Sequence, residues 1–406
     1  MRAFAALLLL LAGCSVAGPP DATVTFQLWD ERVARAYRES FAVFEKQNPG
    51  ITVRVRTVPW ADYWTTLPAD IAAGTVADVF WTNTSNFGWY ADTGRLLPVD
   101  DPQSSGWTRP VVDLYTRGGT LWGVPQLWDS IALFVNRDLV DKAGVDPAAL
   151  VWNPSGTGDT FLPAVRRLTA GRVYGYNAAL DNQAVSWNFV GSNGGTWQNG
   201  DTYDFAGRPR TVEAVQYVVD LINKHHVAPP AADTIVNGDK TLQLFTQGRL
   251  ALFQSGPYHL KSVQDGARFR WDVAPIPAGP AGRVSVVHGV AAVASAQTRD
   301  RAATAKVLRW LGSADGLRPI AAGGYALPGV VAVEPEFTAY WRRQGVDVRP
   351  FLDAAAGPTF PAPAGPRAQA GADAALPYLR EVFQGRLPVA DGLRRAQDAA
   401  NQALRE

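Results

Sequence analysis

Fourteen tryptophans run through this 406-residue chain, beside 12 tyrosines and 17 phenylalanines, and many stand next to polar, turn-forming residues. Trp29-Asp30, Pro59-Trp60-Ala61-Asp62-Tyr63-Trp64, Trp81-Thr82-Asn83, Trp128-Asp129 and Gly194-Gly195-Thr196-Trp197 are the clearest cases. A core tryptophan usually sits inside an apolar pattern. An indole beside a carboxylate or amide in a loop offers a flat apolar face with a hydrogen-bonding neighbour. A polyhydroxylated ring needs that pair of features, having C–H faces to stack and hydroxyl edges to bond. Read singly, each tryptophan suits a core; read as a set, they predict a ligand cleft.

The elements that must position them follow from periodicity. Val24 to Trp29 alternates as a strand, and Asp30 is placed to cap the next helix. Val33, Tyr37, Phe41 and Phe44 fall on one face of that helix, and Asn48-Pro49-Gly50 stops it. Ile51–Val58 alternates again, a helix over 63–73 ends at Gly74, and Asp78-Val79-Phe80-Trp81 is a third short strand. Strand, helix, strand, helix, strand is the pattern of an α/β lobe with a largely parallel sheet. Leu121–Pro125 and Ile131–Asn136 are further strands, and the pentapeptide Gln126–Ser130 between them is expected to cross between lobes. Helical patterns lie near 138–143, 161–168, 211–225, 240–247 and 303–311, a strand over 286–294, and two closing helices around Leu376–Phe383 and Leu393–Leu404. The stretch 357–371, rich in Pro, Ala and Gly, reads as a loop.

Composition limits the function. A chain of 406 residues predicts two domains or lobes rather than one core. Hydrophobic content of 47%, 18% charged residues and a formal charge of +1 fit an ordinary globular protein and give no reason to expect nucleic acid or another polyanion. The four histidines are His225, His226, His259 and His288, and the one adjacent pair would point to different faces of a helix, so no metal site is expected. There is no His-Glu-x-x-His, no Gly-x-Ser-x-Gly and no phosphate-binding glycine loop with lysine. No catalytic residue and no cofactor are assigned.

The single cysteine closes Leu11-Ala12-Gly13-Cys14, after a positive start and an uncharged apolar run from Ala3 to Leu11. That order is an export signal, too short to span a bilayer, and its end resembles the bacterial lipobox. The resemblance implies cleavage after residue 13, a diacylglycerol on Cys14, a tether over 14–22 and a position on the outer face of the cell membrane. With Cys14 lipidated, no disulfide is available.

The order of the later pieces resembles the extracellular solute-binding proteins of bacterial ABC importers, in the carbohydrate-binding, maltose-binding-like group. Phe44–Val53 is similar to that family's first helix entering its second strand, and Ala72–Val79 to its next helix end and strand. Leu121–Pro125 with Leu133–Gly144 is similar to its crossover, Phe245–Leu252 and Ser255–Tyr258 to its late cleft segment, and Pro275-Ile276-Pro277 with His288-Gly289-Val290 to its return. The chain departs from the group by carrying His288-Gly289 where many members have Gly-Gly, and Tyr258 where many have Trp. The likeness spans nearly the whole chain. It implies a two-lobed α/β fold, each lobe a mixed sheet flanked by helices, with 23–128 plus 286–328 in one lobe and 131–283 plus 331–406 in the other. It also implies a monomer that closes on a carbohydrate at the lobe interface and delivers it to a membrane permease.

On that fold, ligands lie beyond the carboxyl ends of strands, where Trp29-Asp30, Thr82-Asn83 and Trp128-Asp129 also fall. Trp29, Trp128, Trp187, Trp197 and Tyr258 are therefore candidate stacking surfaces, and Asp30, Asp62, Asn83 and Asp129 candidate hydroxyl acceptors. Gly194, Gly195 and Gly289 could expose backbone N–H groups or admit close approach, and His288 could donate to the ligand. Each has a plainer alternative: Asp30 and Asp62 as helix caps, Asn83 as an Asx turn, Trp187 as lobe filling, the glycine pair as a tight loop, His288 as a satisfied buried histidine. No Lys or Arg cluster accompanies the set, which favours a neutral or amino-bearing sugar over a phosphorylated one. Competing readings are a glycerophosphodiester- or peptide-binding transport lipoprotein, an exported glycan-active enzyme, and a lipoprotein scaffold.

Overall fold

The computed structural model describes residues 22–365 and 367–405. The leader, Cys14 and the tether up to residue 21 lie outside the described residues.

The chain enters as β1 (Ala22–Leu28), α1 (Glu31–Gln47), β2 (Ile51–Thr57), α2 (Trp60–Ala73), β3 (Val79–Asn83) and α3 (Thr84–Asp92). β1 pairs in parallel with β2 and β3. The four apolar residues expected on one face of α1 are all buried. The Asp30 carboxylate accepts from the backbone N–H of Arg32 and Val33 at 2.8 and 3.1 Å, which fixes where the helix starts. α2 ends on Gly74, whose φ of +72° is the left-handed cap that a side chain would resist. Every residue of β3 is buried, as a central strand requires.

After α4 (Arg109–Leu114) comes β4 (Val124–Asp129), then β5 (Ala132–Asn136). β4 belongs to the first sheet and β5 to a second, so the crossing occupies only Ser130-Ile131 and not the pentapeptide expected. Ser130 Oγ donates to the Phe351 carbonyl at 2.6 Å, and the Ile131 N–H donates to Ser285 Oγ at 2.9 Å. The second sheet is completed by β6 (Tyr174–Tyr176), β7 (Leu250–Ser255) and β8 (Trp271–Ala274), in the order β8-β5-β7-β6. Between β6 and β7 run a π-helical turn (Asn182–Ser186), α5 (Trp187–Ser192) and α6 (Pro209–Asn223); α7 (Leu260–Gly266) precedes β8. The chain returns to the first sheet with β9 (His288–Ser295), α8 (Arg301–Leu311), α9 (Ala314–Ala322) and β10 (Leu327–Pro328). The first sheet then reads β10-β4-β9-β3-β1-β2. α10 (Glu334–Arg343) packs on α9 and β10, α11 (Arg349–Ala356) packs on β5, and α12 (Ala368–Phe383) with α13 (Val389–Ala403) closes the second lobe.

This is the two-lobed mixed α/β architecture that the sequence pattern implied. The apolar cores do not divide where the sheets do. One cluster fills the first lobe and continues through Trp341 and Phe351 to Phe134 and Phe253 on one face of the second sheet. The other holds the opposite face, with Trp152, Phe189, Trp197 and the inner sides of α12 and α13. The lobes therefore share a packed apolar spine.

Candidate ligand-binding site

β1 and β3 lead directly into α1 and α3, which meet the second lobe, α1 through Arg32 and α3 against α12. Trp29 is the centre of an aromatic group, 4.9 Å from Trp81, 5.1 Å from Tyr63, 5.2 Å from Trp60 and 5.4 Å from Trp64, ring centre to ring centre. Trp81 and Tyr63 are sealed in the core, Trp29 is half-buried, and Trp60 is 52% exposed, so the group runs from interior to surface. The Trp64 indole N–H is enclosed with no partner among the described residues.

The second lobe answers with polar groups. Asp181 caps the π-helical turn by accepting from Ala184 N–H at 2.8 Å. A π-helical turn in a helix is a frequent mark of a functional site. Within and just after it, Asn182 Oδ1, Ser186 Oγ and the Trp187 indole N–H are enclosed without partners. Gln183 reaches across to Asp129 at the end of β4, donating from Nε2 to Oδ1 at 3.0 Å. Burial lifts the Asp129 carboxyl to about 7, partly offset by that hydrogen bond. Burial also raises the Asp181 carboxyl, offset by backbone N–H groups of Ala184 and Gln183. The Tyr258 hydroxyl is raised by desolvation first, then by the negative charges of Asp181 and Asp129. Tyr258 is 39% exposed, and its hydroxyl accepts from Ser255 Oγ at 3.4 Å. His288 pairs with Asp129 across the β9–β4 ladder. Desolvation holds His288 and His259 down to about 4, so both are neutral at physiological pH.

The lobes meet at both rims of this junction. Arg32, in the first turn of α1, donates from Nη1 to Ser262 Oγ of α7 at 2.7 Å, and its Nη2 lies 3.7 Å from an Asp265 carboxylate oxygen. On the other rim, α3 lies against the start of α12.

Several expected site residues have other duties. Trp128 is 5% exposed, packs in the first-lobe core and donates its indole N–H to the Pro328 carbonyl at 3.1 Å, so it is not a stacking surface. Trp197 is 4% exposed and stacked on Phe205 at 4.3 Å, again as core. The N–H groups of Gly194 and Gly195 donate to the carbonyls of Gly191 and Val190, and a Cβ on Gly195 would come within 2.6 Å of Thr211 Oγ1. That pair forms a tight loop and offers no free donor. Gly289 makes room for α4, since a Cβ there would meet Val111 at 3.0 Å, so its small size does not serve a ligand. Asn83 is the cap of α3, accepting from the backbone N–H and side-chain amide of Asn86 at 3.1 and 2.8 Å. Asp62 is exposed in the first turn of α2. Asp30 is a cap, with its second carboxylate oxygen facing no described partner. Arg318 and Arg349 are bound to Glu336 and Asp347 on the surface.

The junction thus gathers Trp29, Asp129, Trp187, Tyr258 and His288 from the expected set, and adds Trp64, Asp181, Asn182, Ser186 and His259. Asp181 and Asn182 stand six and five residues before Trp187, too far to carry the adjacent indole–polar signal of the other motifs. The π-helical turn that brings them together has no such signature. A larger hollow of about 490 Å3 opens on the far side of the second lobe, lined by Tyr174, Ile222, Asn223, His226 and Arg386, and it touches none of these residues. Among the described residues, no cluster of three or more His, Cys, Asp or Glu is arranged to hold a metal ion, and no helix is long and apolar enough to cross a membrane.

Comparison with known proteins places the fold. Residues 29–317 match the family model described as bacterial extracellular solute-binding protein. The crystal structure of UspC from M. tuberculosis is 44% identical and superposes with a TM-score of 0.78, covering 94% of this chain and 100% of that one. The Listeria monocytogenes substrate-binding protein Lmo0181, solved in complex with cycloalternan, has the same fold at a TM-score of 0.83 and 22% identity, over 94% of this chain and 98% of that one. The maltodextrin-binding protein MdxE of Bacillus subtilis is 25% identical over 283 residues, 67% of this chain and 65% of that one.

Proposed function

The chain belongs to the bacterial extracellular solute-binding protein family, and from that premise we propose that it is the capture subunit of an ABC sugar importer. It binds a carbohydrate between the lobes, closes over it and presents it to a membrane permease. Relatives that bind maltodextrin and arabinooligosaccharide support the substrate class. Lipoproteins among the relatives support an anchor at Cys14. A binding role without turnover fits a family of binding proteins.

One observation carries the reading. The junction joins a half-buried indole wall to enclosed polar atoms that have no partner. An unpaired enclosed donor or acceptor costs about 1–3 kcal/mol, so Trp187 N–H, Ser186 Oγ, Asn182 Oδ1 and Trp64 N–H call for hydroxyl partners. A pyranose supplies those and two apolar faces for Trp29 and Trp64.

The carboxylates refine the ligand. Among the described residues no Lys or Arg bonds to Asp129 or Asp181, whose ordinary charge burial disfavours. A ligand ammonium would restore that charge by direct pairing. An amino sugar therefore fits better than a neutral one, and a phosphorylated ligand would meet two like charges.

The test is a thermal-shift screen of the chain against glucose, glucosamine, maltose, glycerophosphocholine and a tripeptide, with scattering to detect compaction. A ligand that binds only the folded state raises the melting temperature by mass action. Stabilisation largest with glucosamine, with sugar recovered unchanged, is the expected result. Stabilisation by the phosphodiester or peptide alone would replace the ligand class, and conversion of a sugar would replace the binding role.

A further inference from the structure

We propose that the pole of the first lobe where β1 begins is a docking face for an anionic lipid surface, so that the anchored chain stands on that pole with its ligand site turned away from the membrane. This rests on the lipid anchor at Cys14 proposed above.

Covalent reach brings this pole to the lipid. Seven residues separate Cys14 from Ala22, the first residue of β1. Eight Cα steps cover at most about 29 Å however they run. α1, 17 residues or about 25 Å long, separates the pole from the lobe junction, where Arg32 of its first turn meets Ser262. The loops at the pole are tied to one another. The Ala22 N–H donates to the Gly50 carbonyl at 2.7 Å, beside the start of β2. Asp78, at the entry to β3, accepts from the Thr25 N–H and hydroxyl at 2.9 and 2.7 Å and from the Thr298 hydroxyl at 2.8 Å. The Ser295 N–H, at the end of β9, donates to the Asp78 carbonyl at 2.9 Å, and the Ala296 N–H donates to the Arg95 carbonyl at 2.9 Å. The side chains of these loops are therefore presented together, on one end of the sheet.

This end of the lobe carries Lys46, Arg54, Arg95, Arg299 and Arg301, all exposed. None of the five side chains has an ion pair or a hydrogen bond among the described residues. Elsewhere on the lobe Arg32, Arg38, Arg56 and Arg117 are each held by a carboxylate. The acids of the pole are engaged with the chain itself. Besides Asp78, Glu45 Oε1 accepts from the Val53 N–H at 2.8 Å, Asp300 accepts from the Ala303 N–H at 2.9 Å, and Asp70 is offset by Arg56 at 3.6 Å. The five free cations outnumber Glu45, Asp78 and Asp300 and leave an excess of two positive charges at one end of a chain whose formal charge is +1. Each cation held against an anionic leaflet favours the docked state by about fivefold, and a guanidinium matches a lipid phosphate with two parallel hydrogen bonds. A short leash that ends among unpaired arginines fits a lipid headgroup layer, because the anchor brings that layer within reach on every chain.

The test uses the full chain, purified in detergent from bacterial membranes and reconstituted into vesicles of phosphatidylcholine alone or mixed with phosphatidylglycerol. Cys14 is the only cysteine, and the lipid takes its sulfur, so one introduced thiol carries one fluorophore. Ala302→Cys places it on the pole and Ala232→Cys on the second lobe, both at exposed positions. Energy transfer to a headgroup dye reports height above the lipid. In phosphatidylglycerol vesicles at low salt, transfer should be strong from 302 and weak from 232. Transfer from 302 should drop in phosphatidylcholine vesicles, and also at about 1 M salt, where the screening length is about 3 Å. Arg95→Gln, Arg299→Gln and Arg301→Gln together should lower the docked-to-free ratio by about 100-fold, with sugar affinity in detergent unchanged. The salt and lipid comparisons need none of these three substitutions, so a folding fault in the triple variant does not decide the outcome. Transfer from 302 that is equal in the two kinds of vesicle, or no stronger than from 232, would overturn the docking face and leave the anchor standing. Failure of the wild-type chain to float with either kind of vesicle would overturn both.

Discussion

On the first lobe the wall of the proposed site is indole on indole: Trp29 against Trp60, Trp64 and Trp81, anchored on Tyr63. On the second lobe it is carboxylate, amide, hydroxyl and imidazole, set on a π-helical turn and the segment that ends in Tyr258 and His259. Neither wall is a binding site alone. The aromatic wall gives area without direction, and the polar wall gives direction at the cost of enclosed groups that lack partners. Closing one over the other is favourable only with a guest between them whose faces are apolar and whose edges are not. The split teaches that specificity and closure are one property here: the second lobe's polar groups make empty closure expensive, and the ligand removes that penalty.

The sharpest way to break the comparison is to separate indoles that form the wall from those that only look as if they do. Trp128→Ala empties a core position and should destabilise the chain by about 3–5 kcal/mol. Among molecules still folded, sugar affinity should hardly change. Trp29→Ala should do the reverse, weakening sugar binding by about 10–100-fold with the smaller loss of stability. Paired thermal melts and titrations of the two variants check this. Equal effects on binding would mean that the aromatic wall is misassigned.

The polar groups are tested next at Asp129, which the first sheet contributes at the end of β4 and which Gln183 of the second lobe meets. Asp129→Asn keeps the shape and the contact with Gln183 while removing the charge. Losing one member of an enclosed charge pair costs several kcal/mol, so glucosamine affinity should fall by about 100-fold. Glucose affinity should fall by less than about tenfold, since an amide still accepts from a hydroxyl. Equal losses for the two sugars would remove the amino-sugar refinement.

A third prediction sharpens the electrostatics through pH. His259 and His288 have folded values of about 4 against an ordinary 6.5, so the folded state binds fewer protons between those limits. They make stability rise with pH over that window, with their contribution complete above 6.5 and lost toward 4. Asp129 has a folded value of about 7 against an ordinary 3.8, so the folded state holds an extra proton in between. Its contribution falls as pH rises from about 4 to about 7. Asp181 is shifted in the same direction as Asp129. Above 6.5 the histidines are finished and the carboxyl remains, so the unliganded chain should be most stable near that pH and weaken slightly beyond it. Thermal melts from pH 4 to 8 on wild type, Asp129→Asn and His288→Asn locate the limbs. Asp129→Asn should flatten the alkaline fall and His288→Asn the acid one.

How much of this was readable beforehand depends on the range of the cause. The α1 face, its Asp30 cap and the Gly74 stop follow from spacing within a dozen residues, and the structure has them where spacing put them. Trp29, just past β1, and Asp129, the last residue of β4, were legible as strand-end residues because strand ends are local events. Trp128 and Trp197 were not separable from Trp29 by neighbours in sequence. What seals them is Pro328 from a distant strand in one case and Phe205 from a later loop in the other. Gly289 read as room for a ligand, and the space is taken by Val111 and Tyr115 from a helix 174 residues away along the chain for the tyrosine contact. α12 begins at Ala368, inside a stretch whose composition reads as loop, because packing against α13 and Tyr203 overrides it.

The smallest expected effect concerns the bridged rim. Arg32, Ser262 and Asp265 join the lobes only when these are together, so removing the guanidinium should favour the open form. The group is 48% exposed on the arginine and 61% on the aspartate, which places the ion pair in high dielectric. Such pairs contribute about 0.2–1 kcal/mol and are screened by salt, so Arg32→Ala should weaken sugar binding by no more than about fivefold. The loss should be largest at low ionic strength and vanish at high salt, with faster ligand release and an unchanged rate of capture measured by stopped-flow fluorescence. Because the Arg32 charge, after desolvation, helps hold His259 down, the variant should raise the acid limb of the pH profile slightly. A loss of affinity that persists in strong salt would mean that the hydrogen bond to Ser262, and not the charge, closes the rim, and Ser262→Ala would then reproduce it.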